Sequence, residues 1–464
     1  MGNVRIIFIF LLLSPIYIHA QVNKVLPAES RNMQLVGVSD LQGRPAYQPV
    51  IHQQAKRWIA YIGLHEGSEI NPLNGQIEGN GTIAVDVTDP QHPHILAHIP
   101  GDYLDPGKDS EAQFVRVCDI ANGTYLLRDA ASRTRHELWN VTDPAHPEFV
   151  NIIVDGLKGT HKNWWECDTG IAYLVSQDPT WRRRPIKIYD LSDPVHPRFI
   201  RDFGLDGQQP GSGMEPAPGP IHGPISYQGR VYFAYGSSSM GTIQIVDREK
   251  LLNGNPEPTP VNLLSPQIGR LDMPRIWGAH TTYPMLGVHV KEFEKDAVGS
   301  VKDILVVTSE TPREDCRNAR APLFLLDISE PQYPFPIANF LVPEQSGNFC
   351  ARGGRFGPHS IQESFTPLFY GKMVMVSYFN AGVRAVDVRD PFHPVEAGFY
   401  IPAITERTKP ICYEEQGKQI CSTVIQTNNV EVDERGYIYI VDRSGTGMHI
   451  LELTGDARAV LESE

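Results

Sequence analysis

Short runs in which apolar and polar positions alternate recur along the whole chain, with a period of two residues rather than 3.6. "TIAVDV" (82–87), "LWNV" (138–141), "IKIYDL" (186–191), "LFLLDI" (323–328) and "VRAVDV" (383–388) are five such runs, and "TIQIVD" (242–247) and "MHILEL" (448–453) complete a set of seven. Each is preceded by another apolar run: "WIAYIG", "TYLLRD", "IAYLVSQ", "VYFAYG", "ILVVTSE", "MVMVSYF" and "YIYIVD". A further run follows, as in "HILAHI" and "RFIRDF". No segment keeps a helical apolar period for more than about three turns. The pattern predicts short β-strands in seven repeats.

Five of these runs end in one kind of turn: "TDPQHPHIL" (88–96), "TDPAHPEFV" (142–150), "SDPVHPRFI" (192–200), "SEPQYPFPI" (329–337) and "RDPFHPVEA" (389–397). Proline presets φ and cannot donate to a central ladder, so this sequence stops a strand. In a meander of strands A, B, C and D it joins C to D. Tyr333 stands where the other copies have histidine, so His92, His146, His196 and His393 read as corner residues.

A four-stranded unit recurring every 50–60 residues or so cannot bury both faces alone, and stacking such units around an axis supplies the missing surfaces. The predicted fold is all-β: one seven-bladed β-propeller of four-stranded antiparallel blades spanning 33–455. "MQLVGVSD" (33–40) is expected to return to the last blade as its outer strand and close the ring. Residues 21–32 form a lead-in segment and 456–464 a tail.

The repeat core, (I/V/L)-x-(I/V/L)-x-D-(V/L/I)-(S/T)-(D/E)-P, resembles that of the LVIVD-repeat family, exported bacterial and archaeal proteins regarded as β-propellers. The resemblance covers roughly residues 33–455. It implies fold and export, and names no activity.

The first 20 residues, "MGNVRIIFIFLLLSPIYIHA", carry one Arg and an apolar run broken by Ser14-Pro15. They read as a secretory signal peptide cleaved after Ala20, which places the mature protein in the periplasm or outside the cell. No cysteine follows to take a lipid anchor, and no other run is expected to span a membrane. Six cysteines in an exported chain point to disulfides. Cys412–Cys421 and Cys316–Cys350 are the expected pairs, and Cys118 with Cys167 a further candidate. Asn80, Asn122 and Asn140 begin N-x-T sequons, which matter only in a glycosylating pathway. A formal charge of −13 without a basic stripe excludes a phosphate-tracking nucleic-acid binder.

Candidate chemistry concentrates where strand A begins. His52, His161, His222, His280 and His359, with Gln113 and Asn429, are expected at one quasi-equivalent position in the seven blades, converging on the mouth of the axial channel. Imidazoles on separate rigid strands suit a transition metal, Fe, Cu or Zn. The same rings could instead cap the neighbouring loops. The D–A and B–C loops of that face are long, and such loops commonly carry binding. Among them Arg128, Arg182, Arg183, Arg184, Arg313 and Arg355 are candidates for an anionic ligand, and Glu66 and Glu310 for outer-sphere or acid–base work. Two functions follow. One is an exported propeller whose axial pocket takes a small-molecule or protein ligand or a metal, with metal-dependent catalysis as its extension. The other is a non-catalytic interaction scaffold. No nucleophile elbow, phosphate loop or dinucleotide fingerprint assigns a reaction or a catalytic residue.

Overall fold

Alternation of buried apolar side chains along each strand leaves both faces of every sheet needing a partner, and the computed structural model answers this with seven four-stranded antiparallel blades around one axis. The structure describes residues 26–120 and 123–463; residues 1–20, expected to be a signal peptide, and the sequon asparagine Asn122 lie outside them. Blade one runs outward from the axis as Ala46–Gln54, Arg57–Asn71, Thr82–Asp86 and His94–Ile99. Blades two to five repeat this order from inner strands beginning at Val115, Thr160, Ile221 and Thr281. Blade seven starts with Thr427–Val432 and takes Met33–Ser39 as its outermost strand, paired against Met448–Leu453. The ring is therefore closed by the expected return of the chain.

Blade six departs from the pattern. Its innermost segment, 359–363, is held to Met373–Ser377 by one β-bridge, Ile361 with Val376, and a few backbone bonds rather than a regular ladder. It gains an extra edge, because Glu29–Arg31 pairs outside Val395–Ile401. Residues 455–462 form a short helix that buries Ala457, Val460 and Leu461 in the apolar cluster of blades six and seven.

The cores lie between blades. Val175 and Ile188 of blade three pack with Phe233 and Val246 of blade four, and Ile62 and Val85 of blade one pack with Tyr439 and Ile450 of blade seven. Proline turns reinforce these seams. In four copies the histidine Nδ1 lies 2.8–2.9 Å from the turn aspartate, as in His146 with Asp143 and His196 with Asp193, and the rings remain exposed. The next blade's turn carbonyl meets the outer strand of the blade before it. Asn151 donates to the carbonyls of Pro194 and Val195 at 3.0 and 3.1 Å. A Cβ on Gly37 or Gly269 would fall 2.1 or 1.9 Å from the carbonyl oxygen of Pro90 or Pro331, so only glycine permits that approach.

All three disulfides form: Cys118–Cys167, Cys316–Cys350 and Cys412–Cys421. The second ties two loops of the long-loop face, and the third staples the hairpin of Pro410–Glu415 and Lys418–Thr423. Three disulfides fit an oxidising compartment. No helix among the described residues is long and apolar enough to cross a membrane.

The axial channel is blocked partway along. Glu363 forms ion pairs with Lys162 and Arg116, and Lys162 also donates to Thr281 at 3.2 Å. The Glu431 carboxylate accepts from the backbone N–H groups of Glu363 and Ser364. Below, Phe365 is stacked between Tyr227 and Tyr283, with ring centroids 4.0 and 5.0 Å away. Charged and aromatic side chains together make a solid floor.

Candidate functional site

In blades one, three, four and seven the inner strand carries an irregularity near its start, where the ladder skips one or two residues. In blade four the register passes from Ile221 opposite Tyr235 to Gly223 opposite Ala234, leaving His222 in the bulge. The equivalent skip leaves His161 and Lys162 unpaired in blade three, Tyr47 and Gln48 in blade one, and Asn428 in blade seven. A bulge turns the side chain out of the blade's own face, here toward the axis.

These residues meet their counterparts from the other blades, His280, His359 and Phe114, which stand just before or at the start of the inner segments. His161 and His222 stand 4.4 Å apart by ring centroids, His222 and His280 3.4 Å, and His280 and His359 4.5 Å. Tyr47 and Phe114 complete the circle: Phe114 lies 4.6 Å from His161, Tyr47 lies 4.8 Å from Phe114, and the Tyr47 hydroxyl is 3.4 Å from His359 Nε2. Asn428 closes it by accepting, through its carbonyl, a bond from His359 Nδ1 at 2.6 Å.

Four of the five histidines expected at the axis are thus brought together. His52 is placed further along the same strand, opposite Ile59, with its Nε2 3.2 Å from Asp119. The axial positions of blades one, two and seven belong to Tyr47, Phe114 and Asn428. Gln113 adjoins Phe114 and reaches Glu111 and, at 3.3 Å, His65 Nδ1; Asn429 adjoins Asn428.

The donor set is specific. Ligand atoms of His222, His280 and Glu310 all lie within 4.8 Å of one another. Both ring nitrogens of His222 and Nε2 of His280 are buried without a hydrogen-bond partner, whereas His280 Nδ1 is held 2.9 Å from the Thr281 hydroxyl. Unpartnered buried polar atoms are costly and uncommon in native proteins. Burial first, and then the neighbouring cations and rings, hold His161, His222 and His280 far below the usual imidazole range, and His359 is pushed down to about 4. The ring is therefore neutral, as metal ligation requires. Burial alone would raise Glu310, but His359, Arg355 and Arg443 outweigh it and keep the carboxyl below its ordinary value. Neutral imidazoles beside an ionised carboxylate suit zinc or another borderline transition metal.

Above this ring the walls are cationic. Arg133 donates to the Thr160 carbonyl at 2.9 Å and lies 3.5 Å from His161 Nδ1. Arg355 binds Glu310 at 3.4 Å and Glu314 at 2.7 Å. Arg443 donates to His65 Nε2 at 2.8 Å. Arg184 accepts a backbone bond from Ile221, next to His222, and its charge acts on His161, His222 and His280. Of these, Arg133 and Arg443 carried no sequence signal: one lies in a loop of unknown path, the other just past an ordinary strand.

Other candidates are placed elsewhere. Arg128 is enclosed in blade two with Glu137, Arg182 pairs with Glu215, and Arg313 is an exposed cation paired with Asp315. Glu66 is exposed. On the opposite face a cavity of about 1190 Å³ opens between blades five and six, lined by residues including Leu286, Tyr370 and His393 and by none of the axial histidines.

Fold and site together define a seven-bladed propeller with four neutral histidines and one carboxylate gathered on its axis. A scan against models of protein families matches none, and a search of curated proteins finds no relative.

Proposed function

We propose that this is an exported propeller, of the LVIVD-repeat kind its sequence resembles, that binds a transition metal on its axis. His222, His280 and Glu310 are the central ligands, with His161 and His359 flanking. The observation that carries this reading is the pair of buried imidazoles, three of whose four nitrogens have no protein partner, while an ionised carboxylate faces them. A metal closing the site would draw the three donors to about 2.0–2.2 Å, a movement within reach of side-chain rotation. Ligation would also supply what the fold lacks, a partner for those nitrogens.

Elemental analysis of untagged protein tests it. Wild type should carry close to one equivalent of metal, His222→Ala little, and His196→Ala, in an exposed turn of the opposite face, as much as wild type. Equal and negligible metal in all three would sink the proposal. Protons compete weakly for imidazoles held this far below their usual range, so occupancy should persist at about pH 5.5. Loss already near pH 6.5, where free histidines titrate, would point to an exposed surface site instead.

A further inference from the structure

The four guanidiniums over the histidine ring, Arg133, Arg184, Arg355 and Arg443, are not balanced by the chain itself. Arg355 takes both Glu310 and Glu314. Arg133 has Glu111 at 3.8 Å. Among the described residues no carboxylate lies within ion-pair distance of Arg184 or Arg443, and the Arg184 side chain makes no hydrogen bond. All four are half-buried, and a half-buried cation without a counter-charge gives up solvation that the chain does not return.

Their placement specifies the missing chemistry. Arg184 stands on the B–C corner of blade three and Arg443 on that of blade seven. In a ring of seven, these blades face each other across the axis. Between them the floor is the histidine ring, and aromatic faces stand at the side: the Arg443 guanidinium lies 5.9 Å from the Tyr47 and Phe379 ring centroids. Planar guanidinium forks match carboxylates bidentately. Two forks on opposite walls fit a ligand with an anionic group at each end. Burial, and then the repulsion of Arg133 on Arg184 and of Arg355 on Arg443, lowers both guanidiniums to about 10, as expected where positive charge is in excess.

We propose that the axial funnel binds a small dicarboxylate, one carboxylate held by Arg184 and the other by Arg443, above the histidine ring. The inference shares the pocket with the metal reading but uses none of its donors, so the two fail separately. Metal bound below would add positive charge and tighten the same ligand without being required for it.

Calorimetric titration of the full, disulfide-intact chain tests this, with malonate, succinate and glutarate as probes against acetate and inorganic phosphate at fixed ionic strength. Each titration is run on chelator-treated and on metal-supplemented protein, with bound metal counted in the same samples. At least one dicarboxylate should bind chelator-treated wild type saturably and about tenfold or more tighter than acetate. Arg184→Gln and Arg443→Gln should each weaken it about tenfold, while Arg313→Ala leaves it unchanged. Melting curves confirm that the variants are folded, and two variants on opposite walls guard against the loss of one. Dicarboxylates binding no better than acetate, phosphate binding better than every dicarboxylate, binding seen only when metal is present, or affinity indifferent to both Arg variants would each overturn the proposal.

Discussion

Arg128 and Glu137 are both fully enclosed within blade two, 3.0 Å apart, and the guanidinium also donates to the carbonyls of Ile99 and Pro100 while lying over Trp139. Removing Arg128 leaves the enclosed Glu137 carboxylate with Arg135, 2.7 Å away, as its remaining cation, and breaking a buried pair costs up to about 3–5 kcal/mol. Arg128→Met should therefore lower the melting temperature sharply. The double change Arg128→Met with Glu137→Leu should recover much of the loss, since Arg135 keeps Asp102. A double variant no better than the single would show that packing, not charge, sets the penalty. Nothing in the sequence separates Arg128 from Arg184: both are arginines at the end of a B strand or in the loop after it, and only strand register sends one into a blade and the other to the axis. The axial histidines were legible for the opposite reason, since four of them open their strands at one structural position. His52 broke the count because the spacing from bulge residue to strand-B tyrosine varies. It is 14 residues for Tyr47 and Tyr61, 12 for His161 and Tyr173, and 10 for His222 and Tyr232. Hairpins of unequal length hide register from any reading by distance alone.

At the scale of the element, the proline turn is both a strand stop and a joint between blades. Its internal bonds, from aspartate to the backbone two residues on and to the histidine ring, fix its shape, and its carbonyl then docks on the preceding blade. Gly269→Ala would drive a methyl into the Pro331 carbonyl, and neither backbone can yield without shifting a blade. Such overpacking should cost about 1–3 kcal/mol, measurable as a lower melting temperature with an unchanged strand signature in circular dichroism. Gly229→Ala is the control, because its Cβ would meet nothing within 4 Å. Its positive φ adds only the strain of a left-handed residue, about 1 kcal/mol. If Gly269→Ala is no worse than that control, the turn is not a joint. The C strands and the returning strand 33–39 were legible because alternation and turn chemistry are local. The extra edge at Glu29–Arg31 was not, since it depends on a strand hundreds of residues away, nor was the irregular inner segment of blade six, whose ladder reduces to one bridge with no turn signal to mark it.

For the whole molecule, buried histidines dominate the response to acid. Burial is the first cause in each case: it pushes His98, His136, His359 and His449 down to about 4, and holds His65, His161, His222 and His280 far below the usual range. In the unfolded chain these rings titrate near about 6.5, so below that pH the unfolded state binds more protons and stability falls, progressively, toward about pH 4. Five carboxyls act in the other sense, Glu111 and Asp202 among them, both raised by burial. Burial pushes Asp129 and Glu431 up to about 7 and Asp442 to about 6, so their contribution is full below the ordinary carboxylate range and fades as pH rises through 6 to 7. Eight imidazoles outweigh five carboxyls. The melting temperature should be highest above about pH 7 and fall steeply by about pH 4.5, and a flat or rising profile on acidification would contradict the neutral ring.

The floor beneath the histidines has a consequence for traffic. With Glu363 locked to Lys162 and Arg116, and Phe365 held between two tyrosines, the described residues make the axis a well, open on the histidine side, rather than a pore. Whatever enters must leave by the way it came, so an incoming molecule cannot push its predecessor out from behind. The hairpins of blade one and of residues 410–423, tied together by Lys409 and Glu69 at 2.6 Å, belong to the long-loop face onto which that doorway opens. Anything that settles across that doorway stops arrival and departure together, sealing in an occupant as firmly as it shuts out a newcomer.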